Sequence, residues 1–119
     1  MYSKHIKEFA DAIRQAQADY TYYHERVGIK DKETQDLLHQ IELEKPSERN
    51  KTATKLANVR KERREAKDMV ENTADIVEFL SQNKSFLNQL GQLLGKVKKA
   101  EKSHEGRSYR ARIRDDLTI

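Results

Sequence analysis

The feature that most constrains this chain is an apolar repeat with a period of seven residues. Near the N-terminus the repeat consists of Ile6, Ile13, Tyr20 and Val27, with Phe9, Ala16 and Tyr23 three places after the first three. This spacing is typical of a helix that packs lengthwise on another helix, as in a coiled coil. The sequence therefore predicts long helices that are joined along apolar seams.

A second seam of the same kind lies in the middle of the chain. It runs through Leu56, Val59, Arg63, Ala66, Val70, Thr73, Val77 and Leu80, and Met69 and Ile76 flank it. The 119 residues include only one Pro and four Gly, so few positions interrupt a helix. These observations predict an all-α fold.

Residues that end or cap helices divide the chain into about four predicted helices. Gly28 predicts the end of the first helix and Pro46 the end of the second, while Ser47 is a good cap for the third. The predicted bounds are about 3–27, 33–44, 48–82 and 86–102. The third, central helix would be about 50 Å long, which predicts an extended hairpin or bundle within one domain, residues 1–103.

Positive charge is concentrated near the C-terminus. Residues 1–95 contain 16 Lys or Arg and 16 Asp or Glu, whereas residues 96–114 contain eight basic and two acidic residues. We predict that residues 104–119 form an extended or disordered basic tail. The expected nucleic-acid contacts are Lys96, Lys98, Lys99, Lys102, Arg107, Arg110, Arg112 and Arg114, with Tyr109 stacking on a base. A solvated cationic tail is the alternative interpretation.

A second basic feature lies within the central helix, in the segment RKERREAKD. Arg60, Arg63, Arg64 and Lys67 have the spacing of a shared helix face, and Arg63 also falls on the apolar seam. Because a buried, unpaired guanidinium is costly, Arg63 either pairs with an acid of the chain, which is the favoured interpretation, or faces a partner; the acids considered are Asp19, Glu25, Asp36 and Glu42. We predict these four basic residues, together with Tyr22 and Arg26, as the partner-binding residues.

The sequence lacks the patterns of known catalytic and metal sites. There is no Cys, which excludes thiolate ligands and thiol nucleophiles, and no phosphate-binding loop, zinc-protease or calcium-loop motif is present. We therefore expect no enzyme activity, no metal site and no cofactor. We also find no segment with the roughly 20 apolar residues of a membrane span, so a cytoplasmic location is expected.

Three segments together resemble a family of small uncharacterised helical proteins of phages and prophages of Gram-positive bacteria. They are TQDLLHQIEL at 34–43, RKERREAKD at 60–68 and LGKVKKAEKSHEGRSY at 94–109. The resemblance implies action inside an infected bacterial cell, on a host or phage machine. Proteins of this family continue after the Tyr with a Pro-containing basic end, whereas Arg110, Ala111 and Arg112 stand here.

Three functions fit these observations. The first is an interaction protein that binds and inhibits or redirects a host protein or ribonucleoprotein, including a counter-defence role. The second is an accessory factor that binds DNA or RNA during phage replication or regulation. The third is a self-assembling structural protein, because the same seven-residue repeats serve a hairpin within one chain or a homodimer.

Overall fold

A computed structural model describes residues 1–105 as three α-helices. They are α1 (Tyr2–Leu43), α2 (Arg49–Gln82) and α3 (Phe86–Glu105). The all-α prediction is confirmed for this part of the chain, and α2 is continuous through Arg63 as expected. The predicted tail lies outside the described residues from position 106 onward, while His104 and Glu105 belong to α3.

The prediction of a helix end at Gly28 is wrong, and three helices replace the predicted four. Gly28 lies inside α1 without a positive φ angle. A glycine in a helix costs about 1 kcal/mol relative to alanine, but the seam continues beyond it at Thr34 and Ile41, which are half-buried. Packing on both sides of the glycine offsets that cost and keeps the helix intact.

A short turn at Pro46 reverses the chain between α1 and α2. Proline disfavours the helical conformation at Lys45, so α1 ends just before it. The buried hydroxyl of Thr52, in the first turn of α2, donates to the carboxylate of Glu44 at 2.7 Å. The short connection and this contact make α1 and α2 antiparallel neighbours.

Residues Ala12–Lys84 form one compact unit, in which α2 packs on α1 along the predicted seam. Successive buried residues of α2 are separated by seven or fourteen positions, and they are Thr52, Ala66, Thr73 and Leu80. The seam positions between them, Leu56, Arg63, Val70 and Val77, are half-buried. Two of the four buried side chains are threonines and one is alanine, and small side chains let the two backbones approach closely.

A second compact unit contains Met1–Asp11 and, within the described range, residues 85–105. The rings of Phe9 and Phe86 meet edge to face with centroids 6.4 Å apart, a favourable aromatic geometry. At the other end of this unit, the Ser3 backbone N–H donates to Glu101 Oε1 at 3.1 Å, and the Ser3 hydroxyl donates to the same carboxylate. The start of α1 and α3 therefore run in opposite directions.

The carboxylate of Glu101 satisfies an N–H group that the first turn of α1 leaves without a helical partner. The hydrogen bonds from Ser3 hold the pKa of Glu101 below its ordinary value. Among residues 1–105, no helix is both long enough and apolar enough to cross a membrane.

Candidate functional site

Lys30 is the most unusual residue of the α1–α2 pair, because a cation occupies a buried seam position. It is only 7% exposed. Its Nζ lies 2.6 Å from Glu62 Oε2 on α2 and 3.1 Å from Glu33 Oε2 on α1. We call Lys30, Glu33 and Glu62 the lysine cluster. Two carboxylates compensate one buried ammonium, whose aliphatic stem packs in the seam.

The contacts within the lysine cluster shift the pKa values of Lys30 and Glu62. Hydrogen bonding to Glu62, and then to Glu33, raises the pKa of Lys30 above its ordinary value. The hydrogen bond from Lys30 lowers the pKa of Glu62, and the nearby Arg26 guanidinium acts in the same direction. The charged forms of both groups are therefore stabilised, and the cluster fixes the lengthwise alignment of α1 and α2.

Arg63 is also paired inside the chain. Its Nε donates to Asp31 Oδ1 on α1, and about a third of the Arg63 side chain remains exposed. Internal pairing was the favoured prediction, but the partner is none of the four acids proposed from the sequence. The alignment of the two helices decides this, because it brings Asp31 opposite Arg63.

A groove of about 450 Å³ lies beside this ion pair. We call it the basic groove; it is lined by Asp31, Thr34, Arg60, Arg63, Arg64, Lys67 and Glu71. Every residue that lines it is charged or polar. The sequence prediction that the four basic residues share one surface is consistent with this lining, in which α1 contributes Asp31 and Thr34.

The charges of the basic groove do not balance. Its lining contains four cations and two carboxylates, and Asp31 is already occupied by Arg63. Arg60, Arg64 and Lys67 are exposed, and in residues 1–105 they form no ion pair within 4.0 Å. These three side chains can therefore reach an anion outside the chain.

The other two predicted partner-binding residues, Tyr22 and Arg26, line a different depression. It measures about 200 Å³ and also contains Lys30, Glu62 and Glu65. Tyr22 is 57% exposed, and its ring meets that of Tyr23 edge to face. Successive residues of a helix are about 100° apart around its axis, so Glu62 and Arg64 lie on opposite sides of Arg63. The basic groove and the depression beside Tyr22 therefore occupy opposite flanks of the seam.

The lysines predicted to contact nucleic acid are exposed on α3. Lys96, Lys98, Lys99 and Lys102 form no ion pair within the described part of the chain. At about 100° per residue, Lys96 and Lys99 lie away from the face that carries Leu90, Leu94 and Val97, whereas Lys98 lies four residues after Leu94, at the edge of that face. The remaining predicted contacts, at Arg107, Tyr109, Arg110, Arg112 and Arg114, lie outside the described residues.

Sequence reasoning missed the residues that position the site from α1. Lys30, Asp31 and Glu33 were assigned to a loop and a new helix start. The signal that could have found Lys30 is the seven-residue repeat, since Ala16, Tyr23, Lys30 and Leu37 are evenly spaced. A cation in that series predicts a buried ion pair.

Comparison with known proteins does not identify a function, so the function is inferred from the geometry of the site. No protein-family model matches the chain, and neither the curated proteins nor the solved structures contain a significant match.

Proposed function

We propose that this chain is a non-enzymatic, phage-type interaction protein that binds a host protein or ribonucleoprotein and inhibits or redirects it. The basic groove is the contact surface. The resemblance carried by 34–43, 60–68 and 94–109 supports the phage origin, and a counter-defence role would follow from an inhibited host machine. The proposed setting is the cytoplasm of an infected bacterium.

One observation carries the proposal: Arg60, Arg64 and Lys67 are exposed around a groove and have no ion-pair partner among residues 1–105. In the same helix pair, Lys30 and Arg63 each have a carboxylate partner. Charge repulsion among neighbouring cations on one helix face is mildly destabilising. An anionic partner would relieve that repulsion, and charge complementarity would also accelerate its association.

Binding should be tested with two triple variants of equal charge. The first is Arg60→Gln, Arg64→Gln and Lys67→Gln; the control is Lys51→Gln, Lys55→Gln and Lys61→Gln, which removes three exposed cations of α2 from outside the groove. Each is used as bait in a lysate of a Gram-positive host. We expect the unchanged chain and the control to retain one defined partner and the groove variant to lose it.

Equal retention of the partner by both variants would contradict the basic groove as its contact surface. Equal loss would show that net charge alone governs the capture. A second set of samples, treated with nuclease before capture, separates a protein partner from a ribonucleoprotein.

A second candidate function is an accessory factor that binds nucleic acid through the C-terminal basic segment. The lysines of α3 favour it, because they are exposed and form no ion pair among residues 1–105. Replacing Lys98, Lys99 and Lys102 with Gln tests it. Loss of nucleic-acid binding in this variant, with the basic groove intact, would favour the second function over the first.

A further inference from the structure

The residues that line the basic groove restrict the chemical class of the partner as well as the sign of its charge. Protein–protein contacts depend on apolar and aromatic anchors that are buried at their centre. The lining of the basic groove offers none, since it consists of six charged residues and Thr34. The Thr34 hydroxyl donates within α1, to the Lys30 carbonyl at 2.8 Å, so the groove presents mainly cations to a partner.

Phosphate oxygens are the partners that such a lining can bind without apolar contact. Guanidinium groups donate two hydrogen bonds to a phosphate in a fixed geometry, and a lysine ammonium adds a point charge. Contacts to a nucleic-acid backbone consist of such bonds and determine position rather than sequence. Arg60, Arg64 and Lys67, which have no ion-pair partner among residues 1–105, supply the required donors.

The spacing of these donors suits a regular backbone. Arg60 and Lys67 are seven residues apart, which is about 10 Å along a helix, and the phosphates of one duplex strand follow each other at about 3.4 Å along the axis. The three side chains therefore offer at most one contact to each of about three phosphates. Because no aromatic side chain lines the groove, it lacks the stacking surface on which single-stranded bases bind.

We propose that the basic groove binds the phosphate backbone of a nucleic-acid duplex, independently of its sequence, through Arg60, Arg64 and Lys67. Arg63 remains paired with Asp31. This inference rests on the proposed function and names the class of its partner: the base-paired nucleic acid of a ribonucleoprotein or of DNA.

The test measures how salt affects binding of the full chain to a short labelled duplex of mixed sequence. Each phosphate contact contributes about 0.9 to the slope of log affinity against log salt. We expect the groove triple variant to lose about 2.7 from this slope, while the control triple variant keeps the slope of the unchanged chain. Contacts made by the C-terminal basic segment are common to all three proteins and cancel in the comparison.

A gain-of-binding variant guards against misfolding of the triple variant. Glu71→Gln removes the second carboxylate of the basic groove, and we expect duplex affinity to rise by about threefold at low salt. Glu78→Gln, two turns further along α2 and outside the lining, should leave the affinity unchanged. An unchanged or weaker affinity of Glu71→Gln would overturn the inference.

Parallel measurements use duplex DNA, duplex RNA and a single strand of the same length. Tighter binding of a duplex than of the single strand supports the inference, and the preferred duplex identifies the source of the phosphates. If both triple variants lower the slope equally, the duplex inference is wrong. If the groove variant loses a nuclease-resistant protein partner but binds the duplex like the unchanged chain, the inference fails and the proposed function stands. If the groove variant keeps both the captured partner and the duplex binding, the inference and the proposed function both fail.

Discussion

The two flanks of the α1–α2 seam use their cations in opposite ways. On one flank, Lys30 is buried between Glu62 and Glu33 and is fully engaged inside the chain. On the other flank, Arg60, Arg64 and Lys67 are exposed beside the Arg63–Asp31 pair, without partners in the described residues. The first arrangement aligns the two helices, and the second leaves positive charge available for binding.

Burial explains this difference. A buried cation must be compensated, because desolvation of an unpaired charge costs several kcal/mol. An exposed cation remains hydrated and needs no partner, so a surplus of exposed cations costs little stability. A charge that serves binding can therefore be distinguished from one that serves folding by the effect of its removal.

The largest expected effect is on the lysine cluster. Lys30→Ala removes a buried stem and two hydrogen bonds to carboxylates, and we expect it to lower the free energy of unfolding by about 2 kcal/mol. Urea denaturation followed by circular dichroism measures this, with the exposed Lys32→Ala as control. Lys30→Met keeps the stem; equal stability of Lys30→Met and the unchanged chain would show that the charge does not contribute.

The second prediction concerns pH. Because the pKa of Glu62 is lowered in the folded chain, its stabilising contribution is present above its ordinary value of 4.5 and is lost as the pH falls through the folded value. Because the pKa of Lys30 is raised, the stabilising contribution of its charged form is present below the ordinary value of 10.5 and is lost only as the pH rises above that value. Glu62→Gln should therefore be less stable than the unchanged chain at neutral pH and equally stable in acid.

Urea midpoints at neutral and acidic pH measure this convergence of the two proteins. Glu65→Gln on the neighbouring exposed position is the matched control and should follow the unchanged chain throughout. A Glu62→Gln deficit that persists undiminished in strong acid would show that the hydrogen bond, rather than the ion pair, carries the effect.

A smaller effect is expected where the two flanks meet, at the Arg63–Asp31 pair. Asp31→Asn should lower the free energy of unfolding by about 0.5 kcal/mol, because the pair is partly solvated. It also releases Arg63 into the basic groove, so anion binding should tighten. Asp36→Asn on the same helix serves as control; weaker binding by Asp31→Asn would mean that Asp31 orients the groove rather than restrains it.

The smallest expected change is in the stability of the groove triple variant. Glutamine retains good helix propensity, and the three cations have no ion-pair partner in the described part of the chain, so the free energy of unfolding should change by less than about 0.5 kcal/mol. Thermal and urea denaturation check this. A loss well above that value would identify Arg60, Arg64 or Lys67 as structural and would remove the contrast between the flanks.

Much of the helical framework could be predicted from local sequence. The predicted helices at 48–82 and 86–102 correspond to Arg49–Gln82 and Phe86–Glu105, because Pro46 and the Asn83–Ser85 turn interrupt the backbone pattern on either side of α2. The error at Gly28 has a physical reason. Glycine weakens a helix by only about 1 kcal/mol, and packing along the seam outweighs that amount.

The site was only partly predictable. Arg60, Arg64 and Lys67 lie at the spacing of one helix face, which is a local property of α2. Glu71 follows Lys67 by four residues on the same face of α2 and is equally local, whereas Asp31 could not be selected from the 20 acidic residues of the chain. The position of Asp31 opposite α2 depends on the alignment of two helices that are distant in sequence.

The sequence by itself determined that residues 1–105 are helical, that α2 is long and continuous, and that its seam contains a charged residue at position 63. Only the tertiary structure decided that Asp31 neutralises Arg63 and that Lys30 pairs with Glu62. The physical reason is the repeat itself: a seam with a seven-residue period packs nearly as well when it slides by seven residues. The turn at Pro46 and the buried lysine remove that ambiguity, and they thereby decide which cations of α2 have no partner within residues 1–105.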